Sequence, residues 1–222
     1  MSLVFLEMTM TLDGFTAGPG VSLEHPLGID GERVHDWLLG TGTGTDDEPS
    51  EWAMFNPGYG TDGAADAAPD EIDRSVAARM FDTTGAFVLG RRTFDVGEAP
   101  WGDDAVFEGR PCFVVTSRPR ESFVRGGSRF EFVTGGVAEA VRRATEAARA
   151  ASVCIMGGAD VARQALTEEL VDEVRLHLVP VLLGEGSRLF PASHSRRVEL
   201  EPLGVEQGAR ATHLRYRVVR GD

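Results

Sequence analysis

Short apolar runs alternate with amphipathic helical stretches over the first three quarters of this 222-residue chain, and that alternation constrains its fold more than any other feature. The runs cover residues 2–11, 86–90, 112–116, 130–134 and 152–156. They are apolar on both faces, as in strands of a parallel sheet covered from both sides. Helical patterns separate them: 30–39, with Val34, Trp37 and Leu38 together and Asp30 as a cap; 70–83, with Ile72, Val76 and Met80; and 136–150, with Val137, Val141, Ala144 and Ala148. A further helix opens after Gly157-Gly158 and runs to Thr167. Strands then take over at 173–179, 181–190, 198–206 and 209–219. The order predicts an α/β chain whose mostly parallel central sheet ends in a C-terminal antiparallel hairpin, all in one domain over 1–222.

Residues 40–68 break this rhythm. They are rich in Gly, Asp and Ala, and are too long for an ordinary connection, so an insertion or a lid loop is expected there. Trp52, Met54, Phe55 and Tyr59 within it predict that part of the segment packs on something. The net charge of −13 repels phosphate backbones and anionic membranes, which argues against nucleic-acid and lipid partners. The first twelve residues are apolar but include Glu7 and no basic leader, so they read as a strand rather than a signal peptide. Cys112 and Cys154 form no CxxC pair, so free buried thiols in a cytoplasmic setting are expected.

Chemistry-bearing motifs are few. Gly157-Gly158 follows an apolar strand and opens a helix, a junction where backbone can approach a pyrophosphate and N–H groups lie free. A ligand-free glycine turn fits the same residues equally well. Gly90-Arg91-Arg92-Thr93 repeats the layout with guanidinium groups that can fork onto phosphate. A Rossmann fingerprint and a GxSxG elbow are missing, and the five histidines lack ligand spacing, so no metal is expected. Asp13-Gly14 is a turn signal, although Asp13 is also a candidate acid.

Four motifs fall in order: LGRRTFD at 89–95, TSRP at 116–119, IMGGADVARQAL at 155–166 and LVDEVRLHLVPVLLGEGSRLFP at 170–191, with TLDGFTAG at 11–18 ahead of them. Together they resemble the riboflavin-biosynthesis reductase C-terminal domains and their dihydrofolate-reductase-like relatives. The resemblance implies a three-layer sandwich on a sheet of about eight strands, NADPH as cofactor and a homodimer. It implies cofactor contacts at Gly90, Arg91, Arg92, Thr93, Thr116, Ser117, Arg118, Met156, Gly157, Gly158 and Ala159. It places Asp13 beside the nicotinamide and His177 at the base of the cleft, which makes them the catalytic candidates. Trp37, Phe55 and Glu185 are the candidates for substrate contact. The first helix offers Glu32 and Asp36 but not the pterin-binding carboxylate pattern, which argues against folate. The expected function is hydride transfer from NADPH to a small pterin-, pyrimidine- or carbonyl-like substrate. The alternatives are an NADP(H)-binding regulatory module without turnover and a 5-amino-6-(5-phosphoribosylamino)uracil reductase.

Overall fold

The computed structural model describes residues 2–39, 70–99, 101, 107–191 and 197–220. The insertion or lid expected at 40–68, with Phe55 in it, lies outside the described residues. Nine strands form one sheet. In chain order they are β1 (Val4–Thr11), β3 (Thr84–Gly90), β4 (Cys112–Val115), β5 (Phe123–Arg125), β6 (Ser128–Val133), β7 (Ser152–Gly157), β8 (Glu173–Val179), β10 (Glu199–Gln207) and β11 (Thr212–Val219). The spatial order is β10-β11-β8-β1-β7-β3-β4-β6-β5, parallel from β8 through β6 and antiparallel at both ends. Two further short strands, β2 (Phe15–Ala17) and β9 (Ser187–Arg188), pair with each other.

Helices cover both faces and give three layers. On one side α4 (Gly136–Ala148) and α5 (Ala159–Thr167) bury Ala140, Ala144, Ala162 and Ala165 against Leu6, Val88 and Ile155. On the other, α2 (Glu71–Thr83) and α3 (Arg91–Gly97) pack Met80, Phe81 and Phe94 against Phe5, Phe87 and Leu89. The strict alternation along β1 explains the split. Val4, Leu6 and Met8 point to the first layer, and Phe5 to the second.

Several local expectations change. Residues 30–39 form a single turn of tight helix, Gly31–Val34, and then a four-residue α1 (Asp36–Leu39). Asp30 adopts a left-handed conformation (φ 57) and caps nothing, because its carboxylate does not reach the first N–H groups. Ile72 is 38% exposed, because α2 turns Asp73 rather than Ile72 inward. Asp70 caps this helix through a reciprocal box with Asp73. Of the strand expected at 181–190, Ser187 and Arg188 alone pair, since the residues before them wrap the Asp13 carboxylate. The edge strand β5 was not anticipated, and it brings the sheet to nine. No helix among the described residues is long and apolar enough to cross a membrane.

Phe94 sits at 1% exposure among the rings of Trp101, Phe123, Phe130 and Phe132. Phe94→Ala is expected to cost about 3–5 kcal/mol in urea unfolding. A loss below about 1 kcal/mol, the level of a surface change, would show that this cluster does not anchor α3.

Candidate functional site

The carboxyl ends of β7, β3 and β4 lie side by side, with Leu89 opposite Gly157 and Gly90 opposite Val115. Loops leaving these three strands open onto one cleft of about 1090 Å³. In open α/β sheets, ligands sit in such crevices at the carboxyl ends of the strands. The junction is packed tightly around its glycines. A Cβ on Gly90 would come within 3.1 Å of Val161 Cγ2, and one on Gly158 within 3.1 Å of Thr93 Oγ1. Gly157 has φ +146, a backbone region other residues avoid, and its bond to Gly158 is cis. These contacts draw the β3–α3 turn onto the start of α5. Gly158 caps α5 without a side chain, so the first-turn N–H groups of that helix keep free donors.

Arginines surround this end of the cleft. Arg91 Nε is 2.6 Å from Asp95 Oδ1, and its guanidinium lies 5.4 Å from the Phe132 ring centre. Arg118 Nη2 is 3.6 Å from Asp95 Oδ2, and its side chain is mostly exposed. Thr116 Oγ1 accepts the Arg118 backbone N–H at 3.0 Å and fixes that turn. Arg92 is exposed and makes no ion pair among the described residues. Asp160 is exposed and pairs with Arg163. Asp95, shared by two arginines, had not been singled out, although its i,i+4 spacing from Arg91 on α3 was the available signal.

The other end of the cleft has a polar floor built by alternate residues of β1 and β8. Glu7, Thr9 and His177 face it, with Thr9 opposite His177 in register. Trp37 Nε1 donates to Thr9 Oγ1 at 3.0 Å, and its ring centre is 4.2 Å from that of His177. His177 Nε2 is 3.1 Å from Glu7 Oε1. His177 Nδ1 is 2.9 Å from His213 Nδ1, and His213 Nε2 is 2.9 Å from Asp73 Oδ1. Half-buried His35 lines the side wall, where burial pushes its imidazole down to about 4 and leaves it neutral near pH 7.

The structure therefore gathers Gly90, Arg91, Arg92, Thr93, Thr116, Ser117, Arg118, Met156, Gly157, Gly158, Ala159, Trp37 and His177 around one cleft. It sets Asp13 and Glu185 apart. Exposed Glu185 lies outside the lining, although its neighbour Gly186 is part of it. The Asp13 carboxylate is occupied as a clamp. It accepts from Thr11 Oγ1 at 2.5 Å, Leu183 N at 3.2 Å and Gly184 N at 2.8 Å, and so ties the end of β1 to the 182–184 loop. An acid held this way is a poor proton donor. Glu7 on the floor, and His213 and Asp73 behind it, complete a row with His177 that sequence reading does not single out. A lone carboxylate inside an apolar strand was the visible sign for Glu7; nothing local marked the other two as site residues.

A mostly parallel sheet sandwiched by helices, with its cleft at the carboxyl ends of the strands, is the dihydrofolate-reductase-like architecture. The chain belongs to the RibD C-terminal domain family, which matches residues 2–214. A relative from Bacillus subtilis (strain 168), the uncharacterized protein YwjB, is 25% identical over 142 residues, 62% of this chain and 75% of the relative. Among solved structures, a Shewanella sp. PV-4 protein provisionally assigned to riboflavin biosynthesis aligns with a TM-score of 0.62 at 17% identity, over 98% of this chain and 99% of the other. A pyrimidine reductase-like protein from Corynebacterium diphtheriae aligns at 0.57 and 14% identity, over 99% and 93%. The Thermotoga maritima diaminohydroxyphosphoribosylaminopyrimidine deaminase/5-amino-6-(5-phosphoribosylamino)uracil reductase aligns at 0.58 and 14%, over 98% of this chain but 57% of its own. The Thermotoga and Corynebacterium proteins are named as a reductase and a reductase-like protein.

The hydroxyl of Thr11 and the loop N–H groups hold the Asp13 carboxyl down, from the ordinary 3.8 to about 2. A depressed carboxylate stabilises the fold above the unfolded-state value, and the gain is lost as pH falls from about 4 towards 2. Asp13→Asn is expected to lower Tm at pH 7 and to flatten the decline of Tm over that acid window. An unchanged acid limb in a pH series of melting curves would show that Asp13 is no clamp.

Proposed function

We propose that the protein is an NADPH-dependent reductase that delivers hydride to a small planar or carbonyl-bearing substrate. One observation carries this: a glycine-lined, arginine-bearing end and a polar, aromatic floor share a single cleft. The cleft is at the large end of ordinary ligand sites, about 300–1,000 Å³, which suits a dinucleotide with a substrate beside it. RibD-type reductases in general use NADPH.

In this reading Gly157, Gly158 and Ala159 receive the pyrophosphate on free backbone N–H groups. Arg91, Arg92, Thr93, Ser117 and Arg118 take the adenosine 2′-phosphate, with Thr116 holding the turn. Gly90 keeps the junction open, and Met156 lines the cleft beside it. Bound NADPH supplies the hydride. Trp37 and His177 present a flat aromatic surface to the substrate, and His35 lines its side. Buried, free Cys112 and Cys154 suit a reducing compartment such as the cytoplasm, and a homodimer is the expected assembly.

Reduction of a ribosylaminopyrimidine, the activity named for the Thermotoga protein, is the second reading, favoured by family membership alone. Fluorescence titration with NADPH and NADH tests the main one, followed by NADPH oxidation across carbonyl, pterin, quinone and ribosylaminopyrimidine compounds. Tight nucleotide binding without turnover would instead mark a binding module. Joint Arg91→Ala and Arg118→Ala is expected to weaken NADPH at least about tenfold more than NADH, since each charge-assisted contact contributes about 1.5–3 kcal/mol. Equal weakening of both would remove the 2′-phosphate assignment.

A further inference from the structure

The cleft floor continues into a line of four buried titratable side chains, Glu7, His177, His213 and Asp73, which are 6%, 4%, 3% and 0% exposed. They come from β1, β8, β11 and α2 and meet in three short contacts: 3.1 Å from Glu7 to His177, 2.9 Å between the two Nδ1 atoms, and 2.9 Å from His213 to Asp73. A hydrogen bond holds one proton. Three links therefore hold three, although two neutral imidazoles between two carboxylates bring only two. With all links made, the chain carries one extra proton. Without it, two lone pairs face each other across a buried contact, a costly arrangement.

The two ends differ. Asp73 is sealed, because its Oδ1 takes His213 and its Oδ2 takes the backbone N–H groups of Arg210 and Asp70 at 3.3 and 3.4 Å. Glu7 and His177 line the cleft. Glu7 Oε2 is buried with no hydrogen-bond partner, and has the Arg175 guanidinium at 3.5 Å. Trp37 covers both rings, at 4.2 Å from His177 and 4.9 Å from His213 between centres. Other charged or titratable groups facing the pair are His35 beside α1, Arg175 on β8 and Glu206 on β10, with Asp36 and Arg210 around Asp73.

We propose that Glu7, His177, His213 and Asp73 form a proton store, closed at Asp73 and open to the cleft at Glu7, that supplies the proton accompanying hydride transfer. Its last step rests on the reductase reading. In the charged store His213 donates to Asp73 through Nε2, and His177 is the imidazolium, donating to His213 through Nδ1 and to Glu7 through Nε2. Burial and the neighbouring His177 both push the His213 ring towards its neutral form, which keeps the extra charge on the cleft side. In delivery, the His177 Nε2–H bond breaks and the Glu7 carboxyl gains the proton. That carboxyl's O–H bond then breaks as the substrate's heteroatom gains its hydrogen. A reduced nicotinamide held in the cleft would supply the hydride that balances this proton. The store is left one proton short and refills from water through the cleft. Glu7 is the catalytic residue, with His177 as its immediate donor, while His213 and Asp73 are positioning residues.

Gly208 offers a way to break the closed end without removing any titratable group, since a Cβ there would lie 2.0 Å from Asp73 Oδ1. The test begins with multiple-bond ¹H–¹⁵N correlation spectra of the full chain labelled in histidine nitrogen, recorded without nucleotide near neutral pH. The proposal expects three protons over the four ring nitrogens of His177 and His213. It also expects the His177 signals to move in Asp73→Asn and in Gly208→Ala, with both variants checked for a folded spectrum. Two neutral rings with two protons, or a His177 pattern indifferent to both variants, overturns the store. NADPH titration of the same samples judges the reductase reading separately, so loss of one does not mimic loss of the other. With any compound that the wild type reduces, Glu7→Gln is expected to lower kcat about 100-fold, as for a lost general acid, without changing NADPH affinity. An unchanged kcat and pH profile overturns the delivery step, and failure to reduce any compound overturns it together with the reductase reading.

Discussion

Two buried carboxylates, Glu7 and Asp73, stand on opposite sides of the interface between sheet and helix, and a pair of histidines joins them. Neither carboxylate could stay there alone, because an unpaired buried charge is strongly destabilising. The histidine pair takes one oxygen of each carboxylate and spans β1, β8, β11 and α2. It therefore fixes how α2 sits on the sheet, and with it the wall formed by Met80 and Phe81. The row also explains why α2 turns Asp73 inward and leaves Ile72 in solvent.

The opposite end of the cleft uses different physics. There, small residues let backbone segments approach, and charge gathers at the surface rather than in the interior. Gly90, Gly157 and Gly158 bring two turns together, and Thr93 fills the space between them. The arginines stand out against a chain of net charge −13, so a local positive field survives within an acidic whole. The two ends are held at a fixed separation by the parallel register of β8, β1, β7, β3 and β4.

Most of the scaffold could be read along the chain because parallel strands and amphipathic helices are local patterns. The run 173–179 matched β8 residue for residue, and α2, α4 and α5 began within a residue or two of their expected starts. Short elements such as β2, β5 and β9 carry too few residues for a period to show. The glycine and arginine junctions were legible because each is contiguous. All 22 basic residues are arginine, so residue type alone carried no signal and position did. The histidine row was not legible. Its contacting members are separated by up to 170 residues and meet through register across three strands. Asp13 misled because a turn-forming aspartate and a catalytic one look alike until the loop that receives its carboxylate is seen.

Asp95 touches both Arg91 and Arg118 before any ligand arrives. Two long, flexible side chains are thereby steered into one region at the folding stage, and their rotamer freedom is already reduced. On the proposed reading an anion meets an Arg91 that is already held, so part of the entropic cost of recruiting the site is met in advance. The same carboxylate must then share or yield its partners. In the proposed reductase, Asp95 is a placeholder that an incoming phosphate has to outcompete for Arg91 and Arg118.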